Sequence, residues 1–124
     1  MMKCKKYNEI FKVQLDDCIS DIDSTLPDVL GTYTIVKWME IVSAKLINQE
    51  LDNQRYISVG KEVNIEHLAM VKLGEELVFI SEILEQNKKE VHFSIRAMFG
   101  EKEIARASHV RSIVPLKIVE RMMR

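Results

Sequence analysis

Apolar and polar residues alternate along several stretches of this chain, and one stretch between them is almost continuously apolar. From Thr34 to about Asn48 the residues are helix formers with no Gly or Pro among them. Thr32 or Thr34 stands where a hydroxyl would cap such a helix. At about 3.6 residues per turn, Thr34, Lys37, Lys45, Asn48 and Gln49 gather on one side. Ile35, Val36, Trp38, Met39, Val42, Leu46 and Ile47 cover most of the rest. A helix this apolar calls for a partner that wraps it.

Beyond Asp52-Asn53 the period changes to two. Ile57, Val59, Val63 and Ile65 share one face of an extended segment, with Ser58, Glu62, Asn64 and Glu66 on the other. Further strands are expected over about 76–85, 90–99 and 103–114, separated by the turn formers Asn87-Lys88-Lys89 and Gly100-Glu101. Those three predict an antiparallel meander. An earlier strand is expected over 5–15, carrying Tyr7, Ile10, Phe11, Val13 and Leu15, before an acidic loop that runs through Asp23 to Pro27. One buried helix and four or more long strands predict an α+β fold in which a curved antiparallel sheet envelops the helix. The edges of such a small sheet would be covered by pairing with a second subunit.

Length and composition narrow the picture without redirecting it. A chain of 124 residues fits one domain, taken as 1–124, and 47% hydrophobic with 30% charged residues excludes a disordered or membrane-embedded class. Its 18 Lys and Arg balance 19 Asp and Glu, so no overall field favours nucleic acid. The basic cluster Lys3, Lys5 and Lys6 is offset by Asp16, Asp17, Asp21 and Asp23. Cys4 and Cys18 form no CxxC pair, which points to a reducing cytoplasm and to neither zinc nor a disulfide framework. No apolar run is long enough to span a bilayer.

Candidate chemistry begins with polar residues on apolar faces. Glu40 projects roughly 120° from the centre of the helix's polar stripe, between Val36, Ala44 and Ile47. It either reaches water at the edge of the apolar face, pairs with Lys37, or serves a reaction. His67 continues the apolar strand face if no bulge intervenes, a position typical of a satisfied core or interface histidine unless an acid stands beside it. Thr32 fits a helix cap, and equally a hydroxyl that holds water or a carbonyl at a helix start. Gly60 interrupts the strand, as a bulge or a close approach to the backbone would require. His92 and His109 read as structural or exposed, with no metal-ligand spacing to His67.

From Leu30-Gly31-Thr32 through Glu40 to Ser58-Val59-Gly60 and Ile65-Glu66-His67-Leu68-Ala69, the sequence resembles the fluoroacetyl-CoA thioesterase-like family of hotdog proteins. That family carries a threonine before its central helix, a glutamate eight residues later, and a glycine seven residues ahead of a histidine on the following strand. Thr32, Glu40, Gly60 and His67 occupy these positions, and His109-Val110-Arg111 resembles the family's His-x-Arg segment, which makes Arg111 a pocket candidate. The resemblance spans about 27–116. It implies a hotdog fold, an acyl-CoA thioesterase, and a homodimer whose active site takes residues from both chains. Coenzyme A enters as part of the substrate, and no metal or separate cofactor is implied.

A thioester is an activated acyl group, so hydrolysis chiefly needs an activated oxygen and a stabilised oxyanion. His67 would take a proton from water or Thr32, Glu40 would orient the imidazole, and the Gly60 amide would face the carbonyl oxygen. Lys61 and Lys72 are generic candidates for the nucleotide phosphates. Lys37, Trp38 and Met39 make the surroundings of Glu40 bulkier and more charged than a fluoroacetyl-specific pocket implies. Two alternatives remain at this point: a non-catalytic acyl-CoA or acyl-carrier binding module, and another hotdog chemistry such as dehydration of a hydroxyacyl thioester.

Overall fold

The fold is that of a computed structural model, described for residues 5–124; Lys3 and Cys4, named above, lie outside the described residues. In chain order the elements are β1 (Lys6–Lys12), two 3-10 turns (Leu15–Asp17 and Ile19–Asp21), α1 (Thr32–Asn48), β2 (Tyr56–His67), β3 (Glu76–Gln86), β4 (Glu90–Phe99), β5 (Lys102–Pro115) and α2 (Leu116–Met122). The strands form one antiparallel sheet in the order β1-β3-β4-β5-β2, leaving β1 and β2 as its edges. The meander of β3, β4 and β5 turns where the sequence predicts, and Gly100 takes a positive φ of 59° in the second turn.

Alternation along the strands places Leu77, Phe79, Ser81 and Ile83 of β3 and Val91, Phe93, Ile95 and Ala97 of β4 against α1. From the helix come Ile35, Trp38, Met39, Val42, Leu46 and Ile47, all buried. Trp38 stacks on Phe11 with centroids 4.8 Å apart, and Phe79 meets both rings edge-on at 5.4 and 5.6 Å. Each such pair adds roughly 0.5–1.5 kcal/mol beyond the area it buries. Trp38 and Met39 therefore belong to the core; they do not crowd Glu40, and Lys37 is exposed. The charge beside Glu40 comes from Arg111 instead of Lys37.

Several boundaries differ from the sequence expectation. The first strand stops at Lys12, because Leu15 enters a 3-10 turn and is 57% exposed. The helix starts at Thr32 with Gly31 as N-cap, and neither expected threonine caps it. Both hydroxyls are engaged elsewhere: Thr34 Oγ1 donates to Asp17 O at 3.0 Å, and Thr32 contacts His67. Thr34 is buried, not part of an exposed polar stripe. The short α2 is absent from the sequence reading: its seven residues make about two turns, with only Leu116 and Val119 partly buried, too little for a periodicity to stand out.

The main departure lies in β2. Gly60 pairs with Arg111 and Glu62 with Val110, so Lys61 is an extra residue and the register shifts there. A bulge exchanges the faces on its two sides. Ile57 and Val59 consequently point to the outer face, with Val59 41% exposed, while Val63, Ile65 and His67 point inward. The single apolar face expected from Ile57 to Ile65 is in fact split at Gly60.

Edge strand β1 is clipped to α1 by Glu9, whose Oε1 accepts from Lys45 Nζ at 2.7 Å and Tyr7 Oη at 2.8 Å. Burial alone would push the Glu9 carboxyl up, but the bonds from Lys45 and Tyr7 outweigh it and hold the group below its ordinary value. A carboxylate depressed in the folded state stabilises above its unfolded value and loses that contribution as the pH falls through the folded one. With Lys45 half exposed, Glu9→Gln should lower stability by less than about 1 kcal/mol at pH 7. The difference between the urea midpoints of wild type and variant should shrink as the pH is taken down through the carboxylate range. No helix among the described residues is long and apolar enough to cross a membrane.

Candidate active site

The polar residues singled out in the sequence separate into two groups at opposite ends of one helical stretch. The first group forms where the start of α1 meets the end of β2. Thr32 Oγ1 lies 2.8 Å from His67 Nδ1. The loop before the helix holds Thr32 in place: Gly31 N donates to Asp17 O at 3.0 Å, Tyr33 Oη to Cys18 O at 2.9 Å, and Leu30 N to Val71 O at 2.7 Å. On the other side, Leu68 N donates to Ile104 O at 2.7 Å and turns the chain out of β2 just after the histidine. An open hollow of about 520 Å³, lined by Thr32, His67, Leu68, Ala69 and Met70, gives access to the pair.

His67 Nε2 is buried and has no hydrogen-bond partner among the described residues. If Thr32 donates to Nδ1, the neutral ring carries its proton on Nε2, a donor without an acceptor. A buried donor left unpaired costs about 1–3 kcal/mol, and because the chain's own atoms close this nitrogen off, a further group meets it only when the ring or its cover shifts. The ring is thus set up to accept a proton from the hydroxyl side, provided an acceptor meets its far nitrogen.

The second group surrounds Glu40. Its Oε1 accepts from Arg111 Nη1 at 3.3 Å, and its side chain remains 43% exposed while that of Arg111 is 8% exposed. Arg111 Nε donates to Ser58 Oγ at 3.0 Å and Nη2 to Ser58 O at 3.1 Å. Burial pulls the guanidinium below its ordinary value and Glu40 partly restores it. Gly60 lies directly opposite: a Cβ built there would run into Glu40 Oε1. The absent side chain thus gives the carboxylate its present seat against β2, and a larger residue would push the Glu40 side chain aside; the bulge begins at the same residue, so both explanations the sequence offered for Gly60 apply.

Glu40 thus pairs with Arg111, not with Lys37, and within one chain it does not reach His67. Eight residues of helix separate Thr32 from Glu40, about 12 Å along the axis. Two residues of this region escaped the sequence reading. Ser58 holds Arg111, and His109, expected to lack a partner, is 1% exposed with its Nδ1 2.8 Å from Glu62 O and its Nε2 3.2 Å from Arg111 Nη1. The signal was present in β5, where Ala105, Ala107, His109 and Arg111 alternate onto the inner face.

The family model for the fluoroacetyl-CoA-specific thioesterase FlK matches residues 13–117. The chain belongs to that family. Its members are thioesterases, that is, thioester hydrolases. Among solved structures, a threonine-to-serine variant of FlK in complex with acetyl-CoA superposes with a TM-score of 0.90 at 18% identity, covering 100% of this chain and 97% of that one. A hot-dog-like protein from Thermanaerovibrio acidaminovorans gives 0.88 at 18% identity over 98% and 90% of the two chains. A thioesterase superfamily member from Thermus thermophilus gives 0.88 at 20% identity over 100% and 92%. The fold is the hotdog fold, a sheet curved around one main helix, as the sequence predicts. A search of curated protein sequences returned no significant match.

Proposed function

We propose that this FlK-family protein hydrolyses a short or medium acyl-CoA to the free acid and coenzyme A, using Thr32, His67 and Glu40. The observation that carries this reading is the 2.8 Å contact between Thr32 and His67 beside a buried, unpartnered Nε2. A carboxylate is the strongest acceptor such an N–H can meet. Glu40 of the same chain is too far along the helix, so the reading requires two copies, with Glu40 of one against His67 of the other. Exposed apolar residues beside the pair, Tyr33, Leu68 and Met70, support a surface that a second copy covers. The open edge of β2 supports the same arrangement.

In that composite site the attacking oxygen, from Thr32 or from water held by it, gives its proton to His67 Nδ1. The negative charge of Glu40 favours the imidazolium that results. The C–S bond breaks as the tetrahedral intermediate collapses, and the thiolate departs without strong acid assistance. Attack by water gives the free acid at once, whereas attack by Thr32 gives an acyl-threonine ester that a water, deprotonated by His67, then hydrolyses to the acid and the free hydroxyl. The Gly60 amide, adjacent to Glu40, is the candidate donor for the oxyanion. The acetyl-CoA seen on the FlK variant supports an acyl-CoA as the donor here.

The test is release of free thiol from a panel of acyl-CoAs of increasing chain length. Turnover on the shorter members is expected. No thiol from any donor, combined with a melting temperature that rises on adding acyl-CoA, would instead identify a binding module.

A further inference from the structure

A buried histidine with both ring nitrogens engaged lies just behind Arg111. His109 Nδ1 is 2.8 Å from the Glu62 carbonyl, an atom that can only accept, so Nδ1 carries the proton. Its Nε2 then has a lone pair, which faces Arg111 Nη1 at 3.2 Å, and an arginine N–H can only donate. The two contacts fix one tautomer of a neutral ring. Burial, and secondarily the Arg111 charge, pull the imidazole below its ordinary value, in keeping with that assignment. Phe93 stacks on the ring at 5.9 Å and keeps it in plane.

Arg111 Nη1 is the atom shared by His109 and Glu40. The remaining bonds of the guanidinium, from Nε and Nη2, go to Ser58 on the edge strand. Removing His109 would leave the planar guanidinium held at Nε and Nη2 by Ser58, free to tilt about those two bonds and so to carry Nη1 away from the carboxylate. The far anchor, Glu62 O, belongs to the residue that follows the bulge, so the chain of bonds runs from the irregular part of β2 through His109 and Arg111 to Glu40. We propose that His109 is a positioning residue: anchored on the Glu62 carbonyl, it aims Arg111 at Glu40 and acts on the reaction only through that arginine. This inference rests on the thioesterase reading above.

The test compares acyl-CoA hydrolysis by wild type, H109F, R111M and the double variant. Phenylalanine preserves the stack on Phe93 and removes both hydrogen bonds. Action through Arg111 predicts a loss in kcat of about tenfold for H109F, with KM within about twofold of wild type. Added to R111M, H109F should cost less than about twofold more. Equal losses in the two backgrounds overturn the proposal, as does a loss matched by a collapse of the melting transition. H109Q, whose amide oxygen can still accept from Arg111, should recover part of the rate; a rate no better than that of H109F counts against it.

A second readout needs no turnover. The ring nitrogens of 15N-labelled wild type should show His109 protonated on Nδ1, with an Nε2 resonance that moves in R111M. An Nε2–H ring, or a resonance indifferent to R111M, overturns the proposal. A wild type inert toward every acyl-CoA but with this coupling intact would remove the thioesterase reading and leave the His109–Arg111 link standing.

Discussion

Replacing His67 by alanine is expected to lower kcat for thioester hydrolysis by about 10³-fold while leaving the fold intact. The size follows from the role: a positioned general base contributes roughly 10²–10⁴-fold, and no other imidazole reaches Thr32. The small structural cost follows from the position. His67 is the last residue of β2, only half buried, with one nitrogen bonded to an exposed threonine and the other to nothing among the described residues. Truncation leaves Thr32 at an exposed position where water can replace the ring, and Glu40 keeps its bond from Arg111, so a melting temperature within a few degrees of wild type is expected alongside the lost rate. A His67→Ala protein that keeps more than about a tenth of the wild-type kcat would exclude this ring as the base.

Glu40→Gln should lower kcat by about 10²-fold, and the more telling result is what mixing does. Glutamine still offers an oxygen to Arg111 and a similar volume beside Gly60, so the variant tests the charge more than the shape. If the catalytic group combines His67 of one copy with Glu40 of another, each single variant is crippled at every site. A mixed dimer of His67→Ala and Glu40→Gln chains has one site with both substitutions and one with neither. Refolding the two variants together in equal amounts should restore about a quarter of wild-type activity, because half the dimers are mixed and each has one intact site. Failure to recover any activity, with mixed dimers shown to form, would place both residues' work within one chain and sink the composite site.

How much of this was legible beforehand depends on the residue. The apolar run from Ile35 to Ile47 announced α1, and period-two alternation announced β3, β4 and β5, because burial on one face leaves its mark on every second position. The bulge was signalled only by Gly60, whose absent side chain has two explanations, and without the pairing to β5 the consequence for Ile57 and Val59 could not be worked out. Thr32 looked like a cap because hydroxyls favour that position, yet a tertiary contact from 35 residues away claimed the hydroxyl. That Thr32 and His67 belong together came from resemblance in sequence; distance along the chain says nothing about it. Arg111 and His109 were the hardest, since a buried charge runs against the hydrophobic pattern and becomes intelligible only when Glu40 and Ser58 are seen around it.

The register break in β2 bears on how large an assembly this sheet can build. A straight, open edge is a template onto which strand after strand of other molecules can be laid, which is how sheets grow into fibres. Here the extra residue at Lys61 shifts the ladder half-way along the edge, so a straight foreign strand finds matching partners on one side of the break at most. The opposite edge, β1, is only seven residues long and bears Lys6 and Lys12 at its ends. The same irregularity that seats Gly60 against a carboxylate therefore suits this edge to a single partner carrying the same break, and disfavours an indefinite series of straight strands.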